Sequence, residues 1–218
     1  MLLHRQVVRR LQGRRIFGCL PPFVKHCAAM DSGSVRAVLL HKGGFRMSDV
    51  MIATARLTLC YPKETDFGAL LPILSDPAVM AMAFGGQVMD AGAARHFFEA
   101  ELDWTRSGCK PGVLREIATD KVIGFAGLKA CDVLGRDDFE LGFVLASTSW
   151  GKGYATEIGL GQLAHGFDTL ACARILGLVS PRNAASQQAL KKLGMVYHST
   201  HATAQRGDRE VFVKQNPR

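Results

Sequence analysis

A strand-like apolar run, two closely spaced glycines and a helix-like run follow one another without a break, and this junction restricts the fold more than any other feature of the chain. Residues 139–146 read as a strand and residues 156–170 as an amphipathic helix. Between them lies Trp150-Gly151-Lys152-Gly153-Tyr154-Ala155-Thr156-Glu157. So tight a strand-to-helix turn needs main-chain conformations that side-chain-bearing residues avoid, and glycine supplies them. The turn also brings unpaired N–H groups and the positive end of a helix dipole to one point. Such a point suits an anion, a phosphate or pyrophosphate above all.

The remaining pattern frames this junction. A first strand is predicted over 55–61, stopped by Pro62, and a helix over 64–74 with Phe67, Leu70, Leu71 and Leu74 at helical spacing. Asp76-Pro77 marks a turn or a new helix start, and Asp90 caps a helix to about residue 106 that turns Phe97, Phe98, Leu102 and Trp104 inward. Strands are predicted over 113–118 and 122–130, joined at Thr119-Asp120-Lys121, and again over 174–179, 196–198 and 209–214. Asn183 opens a further helix that ends at Leu193-Gly194. Helix and strand alternate only in the second half, which predicts a mixed α/β sheet covered by helices on both faces.

Charge is unevenly spread. Residues 1–46 hold nine Lys/Arg and a single acid, Asp31, so they account for the whole net charge of +8 and the rest of the chain is neutral. A duplex-binding domain carries its own basic face, so nucleic acid is not an expected partner. The basic segment has the composition of a transit or membrane-surface sequence. Pro21-Pro22, Gly33, Gly43 and Gly44 interrupt any helix there, so we read 1–46 as a disordered tail or a non-native upstream start, with Met47 and Met51 close to the first strand. Cys19, Cys27, Cys60, Cys109, Cys131 and Cys172 form no C-x-x-C pair, which fits free thiols in a reducing cytoplasm. No apolar run reaches the roughly 18 residues of a spanning helix, so no membrane partner is expected.

Glycine turns also occur for packing alone, and a single one is a weak signal. No Walker G-x-x-x-x-G-K-[ST] is present, and Ser180-Pro181 stands where a dinucleotide fold would place its acidic residue. A second element sharpens the reading. Asn183-Ala184-Ala185-Ser186 follows the next strand and places a polar helix start beside any ligand leaving the glycine turn.

Taken together, Phe139-Glu140-Leu141-Gly142-Phe143-Val144-Leu145, the Trp150–Glu157 junction, Asn183-x-x-Ser186 and Lys192-Leu193-Gly194-Met195 resemble the GNAT superfamily of acyl-CoA-dependent N-acetyltransferases. Thr54-Ala55-Arg56-Leu57-Thr58-Leu59 and Asp76-Pro77-Ala78-Val79-Met80 are similar to its RimJ/RimL-type branch, which acetylates ribosomal-protein N-termini and various small amines. The resemblance covers about residues 54–215. It implies a mixed, largely antiparallel sheet of about seven strands, with acetyl-CoA as donor, an amine as acceptor, no metal, and a monomer or homodimer. It further implies that Trp150, Gly151, Lys152, Gly153, Tyr154, Ala155 and Thr156 meet the pyrophosphate. The main chain of Phe143, Val144 and Leu145 would pair with pantetheine, and Asn183 and Ser186 would lie beside it. Two positions depart from the family pattern. Thr148 stands where Gln or Arg is frequent, and Leu190 where many relatives carry a tyrosine as thiolate acid, which leaves Ser186 as the candidate acid.

The amine must be neutral to attack. An α-amine with pKa near ~7.7–8 is partly free at neutral pH, whereas a lysine amine near ~10.4 costs about 4 kcal/mol more to deprotonate. Weak base machinery therefore favours an α-amine. Glu140 is the candidate base, acting through water, against its plainer reading as an outward strand residue. Ser186 has the plainer reading of a helix cap. The rival functions are a small-molecule acetyltransferase, for an aminoglycoside, polyamine or amino acid, and a non-catalytic acyl-CoA sensor. His198-x-x-His201 reads as surface, His165 as packing, Cys131 and Cys172 as small buried hydrophobes, and Trp150 as a pin for the loop.

Overall fold

The structure, a computed structural model, describes residues 46–203 and 207–218. All of the basic segment read from the sequence except Arg46 lies outside the described residues. The chain forms β1 (Val50–Ala53), β2 (Leu57–Cys60), α1 (Phe67–Leu74), α2 (Pro77–Met80), α3 (Ala91–Glu101), β3 (Gly112–Glu116), β4 (Val122–Cys131) and β5 (Asp138–Leu145). There follow α4 (Tyr154–Asp168), β6 (Arg174–Val179), α5 (Ala184–Lys192), β7 (Val196–Thr203) and β8 (Gly207–Gln215).

One sheet takes all eight strands in the order β1-β2-β3-β4-β5-β6-β8-β7. Neighbours are antiparallel except β5 and β6, which run parallel and pair only at Phe139–Ile175 and Glu140–Leu176. The sheet is thus two antiparallel halves joined over a very short ladder. Past Glu140 the two strands part, and among the described residues the far half of β5 has no partner strand on that side. Asp138 and Arg174 clamp the closed end in a fork-to-fork ion pair, Nε to Oδ1 at 2.9 Å and Nη2 to Oδ2 at 2.7 Å.

Helices cover both faces, as the alternation of elements predicts. On one face α1, α2 and α3 bury Leu70, Leu74, Val79, Phe97 and Phe98 against Val113, Val122 and Phe125. On the other, α4 lays Tyr154 and Ile158 over Leu57, Leu59, Leu114 and Leu145, while Leu163 joins Leu190, Leu193 and Ile175 beside α5. Each large apolar side chain so buried contributes roughly 1.5–3 kcal/mol. The helix starts follow their caps: Asp76 accepts from Ala78 N–H at 2.9 Å ahead of Pro77, and Asp90 from Ala93 N–H at 2.7 Å.

Three departures from the sequence reading have physical causes. The sheet has eight strands rather than about seven, because Val50–Ala53 pairs along β2 ahead of the expected start near residue 54. Helix α3 stops at Glu101 instead of about 106. There Leu102 turns extended, and the fully buried Asp103 carboxylate gathers the N–H groups of Ser107 (3.1 Å) and Gly108 (2.7 Å), which closes a loop where the helix would have continued. Trp104 leaves the core as a result. It is 38% exposed, its indole N–H reaches Phe98 O at 2.9 Å, and its ring stands edge-on to Phe98. Finally, β7 and β8 extend to Val196–Thr203 and Gly207–Gln215, a long and largely polar hairpin held by main-chain pairing.

Candidate active site

The glycine turn leaves β5 through a short 3-10 turn, Ser147–Ser149, and enters α4 at Gly153. Gly151 and Gly153 adopt φ of 72° and 79°, the left-handed region that disfavours a side chain. A Cβ on Gly151 would meet nothing within 4 Å, so the turn faces open space. Among the described residues, the N–H groups of Gly151, Lys152, Gly153, Tyr154 and Ala155 make no hydrogen bond within the chain, and no side chain caps the helix. Five main-chain donors and the positive end of a 15-residue helix therefore remain available at one place.

Side chains brace this turn from below. Trp150 is exposed, and its indole N–H holds Leu145 O at 2.9 Å, which fits the reading of this ring as a pin. Arg56, between β1 and β2, donates from Nη1 to Lys152 O at 3.0 Å and lies 4.7 Å from the Tyr154 ring centroid. Glu157, in the first turn of α4, accepts from Arg56 Nε at 2.7 Å, Arg56 N at 2.8 Å and Thr54 Oγ1 at 2.7 Å. The Tyr154 hydroxyl donates to Glu116, which holds that carboxyl below its usual range and pushes the phenol up. Of these braces, sequence reading missed the roles of Arg56, Glu116 and Glu157. The only signal was a basic residue between the first two strands and an acid one turn into the helix.

The register of β5 decides which main-chain groups point into the gap. Ala146 N–H bonds Ile123 O at 2.8 Å, and the β4–β5 pairing runs unbroken from Leu145–Gly124 to Asp138–Cys131. Glu140, Gly142 and Val144 therefore exchange hydrogen bonds with β4, while Phe143 and Leu145 turn theirs the other way, toward the gap left by β6. Of the three residues expected to offer main chain there, Phe143 turns both its N–H and its carbonyl that way, and Leu145 turns its N–H, its carbonyl being held by the Trp150 indole. Val144 does not, because its pairing with Phe125 uses its main-chain groups.

The gap opens into a cleft with about 1040 Å³ of space. Glu140, Phe143, Val144, Asn183, Ser186 and Leu190 all line it, so strand, second helix start and candidate base meet in one place. Asn183 is buried and fully engaged: Oδ1 accepts from Ser186 N–H at 3.0 Å, and Nδ2 donates to Met82 O at 3.3 Å. Its role is to cap α5 and tie it to the segment after α2. Ser186 is half-buried, and its hydroxyl makes no hydrogen bond among the described residues. Leu190 is buried in the α4–α5 core. Cys131 is half-buried; burial, and then the nearby Glu140 carboxylate, push its thiol up to about 12, so it stays protonated. Cys172 is buried and raised by burial to about 11. No group of three or more metal-ligating side chains is assembled among the described residues, and none of the described helices is long and apolar enough to cross a membrane.

Comparison with known proteins points the same way. A family model described as the acetyltransferase (GNAT) domain matches residues 56–196. The uncharacterized protein YkkB of Bacillus subtilis (strain 168) is 29% identical over 155 residues, 68% of this chain and 87% of that protein. The uncharacterized N-acetyltransferase p20 of Bacillus licheniformis is 32% identical over 144 residues, 64% of this chain and 79% of that protein. Among solved structures, a GNAT-family acetyltransferase from Bacillus anthracis superposes with a TM-score of 0.66 at 22% identity, covering 77% of this chain and 99% of its own. RimL, a ribosomal L7/L12 α-N-protein acetyltransferase solved with coenzyme A, gives 0.64 at 14% identity over 76% of this chain and 97% of its own. At these identities the two structures bear on the fold alone.

Proposed function

The chain belongs to the GNAT family of acetyltransferases, and we propose that it carries an acetyl group from acetyl-CoA to a primary amine, in the α-amine class. The observation that carries this reading is the parting of β5 from β6 on the strand that leads into a turn with five open amides. The residues present fit coenzyme A. The turn at Gly151 faces clear space for a diphosphate, and the main-chain groups of Phe143 with the Leu145 N–H match an arm that itself bears amides.

Acetyl-CoA supplies an activated carbonyl and a thiol leaving group. The chain's own residues do the rest. The amides of residues 151–155 hold the diphosphate, and Arg56 keeps Lys152 and its neighbours in place. Glu140 takes one proton from the acceptor ammonium, directly or through water. The amine nitrogen then bonds to the acetyl carbon as the C–S bond breaks, and its second proton ends on sulfur. Ser186, beside the cleft with an unengaged hydroxyl, is the residue placed to pass that proton on. Holding both reactants in one slot supplies much of the acceleration, because little further entropy is lost on reaction.

The test is release of free thiol from acetyl-CoA across a panel of peptides and small amines. Amine-dependent release that favours α-amines over lysine side chains is the expected result. Tight binding of acetyl-CoA with no release across the whole panel would instead make the chain an acyl-CoA sensor.

A further inference from the structure

The half of the cleft on the face away from α4 carries a charge pattern of its own. Strand alternation puts Glu140, Gly142 and Val144 on that face. Lys129 stands opposite Glu140 in β4, and Arg209 of β8 lines the cleft beyond Leu178. Glu101, at the end of α3, completes the set, with Lys129 Nζ at 2.5 Å from its Oε2. Two acids thus face two bases. Glu101 already answers Lys129, so an acceptor meets one further acid, Glu140, and one further base, Arg209. An acceptor carrying one amine and one carboxylate matches the pattern, and the planar fork of Arg209 is suited to a carboxylate.

An apolar wall stands beside these charges. Phe84 stands edge-on to Phe97 at 5.3 Å, and Met82 lies beside them on the same wall. Phe84 holds a left-handed φ of 48°, followed by Gly85 and Gly86 in the same region. The floor between Glu140 and Val144 is bare main chain, because a Cβ on Gly142 would meet nothing nearer than Gly127 O at 4.0 Å.

We infer that the acceptor is a free α-amino acid with an apolar side chain. Its amine lies toward Glu140, its carboxylate toward Arg209, its α-carbon over Gly142, and its side chain against Met82, Phe84 and Phe97. The inference rests on the acetyl-transfer reading above. The products are the N-acetyl amino acid and coenzyme A, with one proton released from the starting ammonium.

The experiment compares thiol release by the full chain with L-leucine, L-methionine and L-phenylalanine, their amides, a leucine-initiated peptide, spermidine and an aminoglycoside. The free acids are expected to exceed their amides by about tenfold or more in kcat/KM, the value of a charge-assisted contact to the carboxylate. Arg209→Gln is expected to collapse that preference toward one while KM for acetyl-CoA holds. Gly142→Val, which has room in the fold but not beside a substrate, is expected to raise KM for the amino acid with thermal stability unchanged. Preference for the amide, the peptide, spermidine or the aminoglycoside overturns the inference, as does an equal loss for acid and amide in Arg209→Gln. Either result leaves acetyl transfer standing, whereas no thiol release with any amine removes both readings.

Discussion

Arg56 and Glu157 meet in an ion pair that fastens the β1–β2 turn to the first turn of α4, with Nε and Nη2 at 2.7 and 2.6 Å from Oε2. The same guanidinium holds the Lys152 carbonyl, so one side chain sets the shape of the glycine turn. Arg56 is 50% exposed, and an exposed pair adds little to global stability. Its consequence is local. Arg56→Ala is expected to weaken coenzyme A binding about tenfold, the order of one charge-assisted contact, with a nearly unchanged melting temperature. Calorimetric titration checks this, and an unaltered Kd would mean that the turn holds its own shape.

Gly153 caps α4 at a φ of 79°. Left-handed main chain costs a side-chain-bearing residue about 1–2 kcal/mol, and more for a β-branched one. Gly153→Val is therefore expected to abolish measurable coenzyme A binding while circular dichroism still reports a folded protein. Retained binding would show that the diphosphate sits elsewhere.

Glu140→Gln keeps the size of the side chain and removes the base. The expected outcome is a fall in kcat of about 10²-fold, typical of lost general-base catalysis, with Kd for acetyl-CoA preserved. An unchanged kcat in stopped assays would remove Glu140 from the reaction.

The clamp at the closed end of the gap is buried, with side-chain exposures of 3% for Asp138 and 12% for Arg174. Arg174→Met takes the fork from a buried carboxylate and leaves it only the half-exposed Arg136 at 3.6 Å, which costs up to about 3 kcal/mol. Urea titration should show that loss as a lower midpoint with a similar slope.

Burial holds the His165 imidazole below its ordinary value, with Nε2 at 3.4 Å from Gly108 O. As pH falls from about 6.5 toward the lowered value, the unfolded chain binds a proton that the folded chain refuses. Stability present above about pH 6.5 is lost across that window. His165→Gln should flatten the pH dependence of the urea midpoint there, and an unchanged dependence would assign it to other groups.

The features legible in the sequence are those written in local chemistry. Gly151 and Gly153 announce the turn because only glycine enters that conformation freely, and Asp76, Asp90 and Asn183 announce helix starts because each caps its own N–H groups. The features that escaped depend on partners far along the chain. Helix α3 ends early because Asp103 folds a loop onto itself and its N–H finds Pro111 O at 2.8 Å, while Leu102 and Trp104 keep a helical spacing to the eye. Strand β7 carries Ser199, Thr200 and His201, whose polarity hides a strand that exists through pairing with β8. The cleft collects Phe84, Glu101, Lys129, Glu140 and Arg209 from five separate stretches, and no spacing rule joins them.

The two-pair ladder between β5 and β6 makes the molecule a lever. From Glu140 to Leu145, β5 stays laced to β4 and runs past the β6 ladder for five residue steps, roughly 16 Å at about 3.3 Å each. A tilt of about 5° at the joint would move its tip by about 1.4 Å, a displacement of the size that costs about 10² in rate when reacting atoms fall out of line. The Asp138–Arg174 fork stands at the fulcrum, at the far end of β5 from the glycine turn.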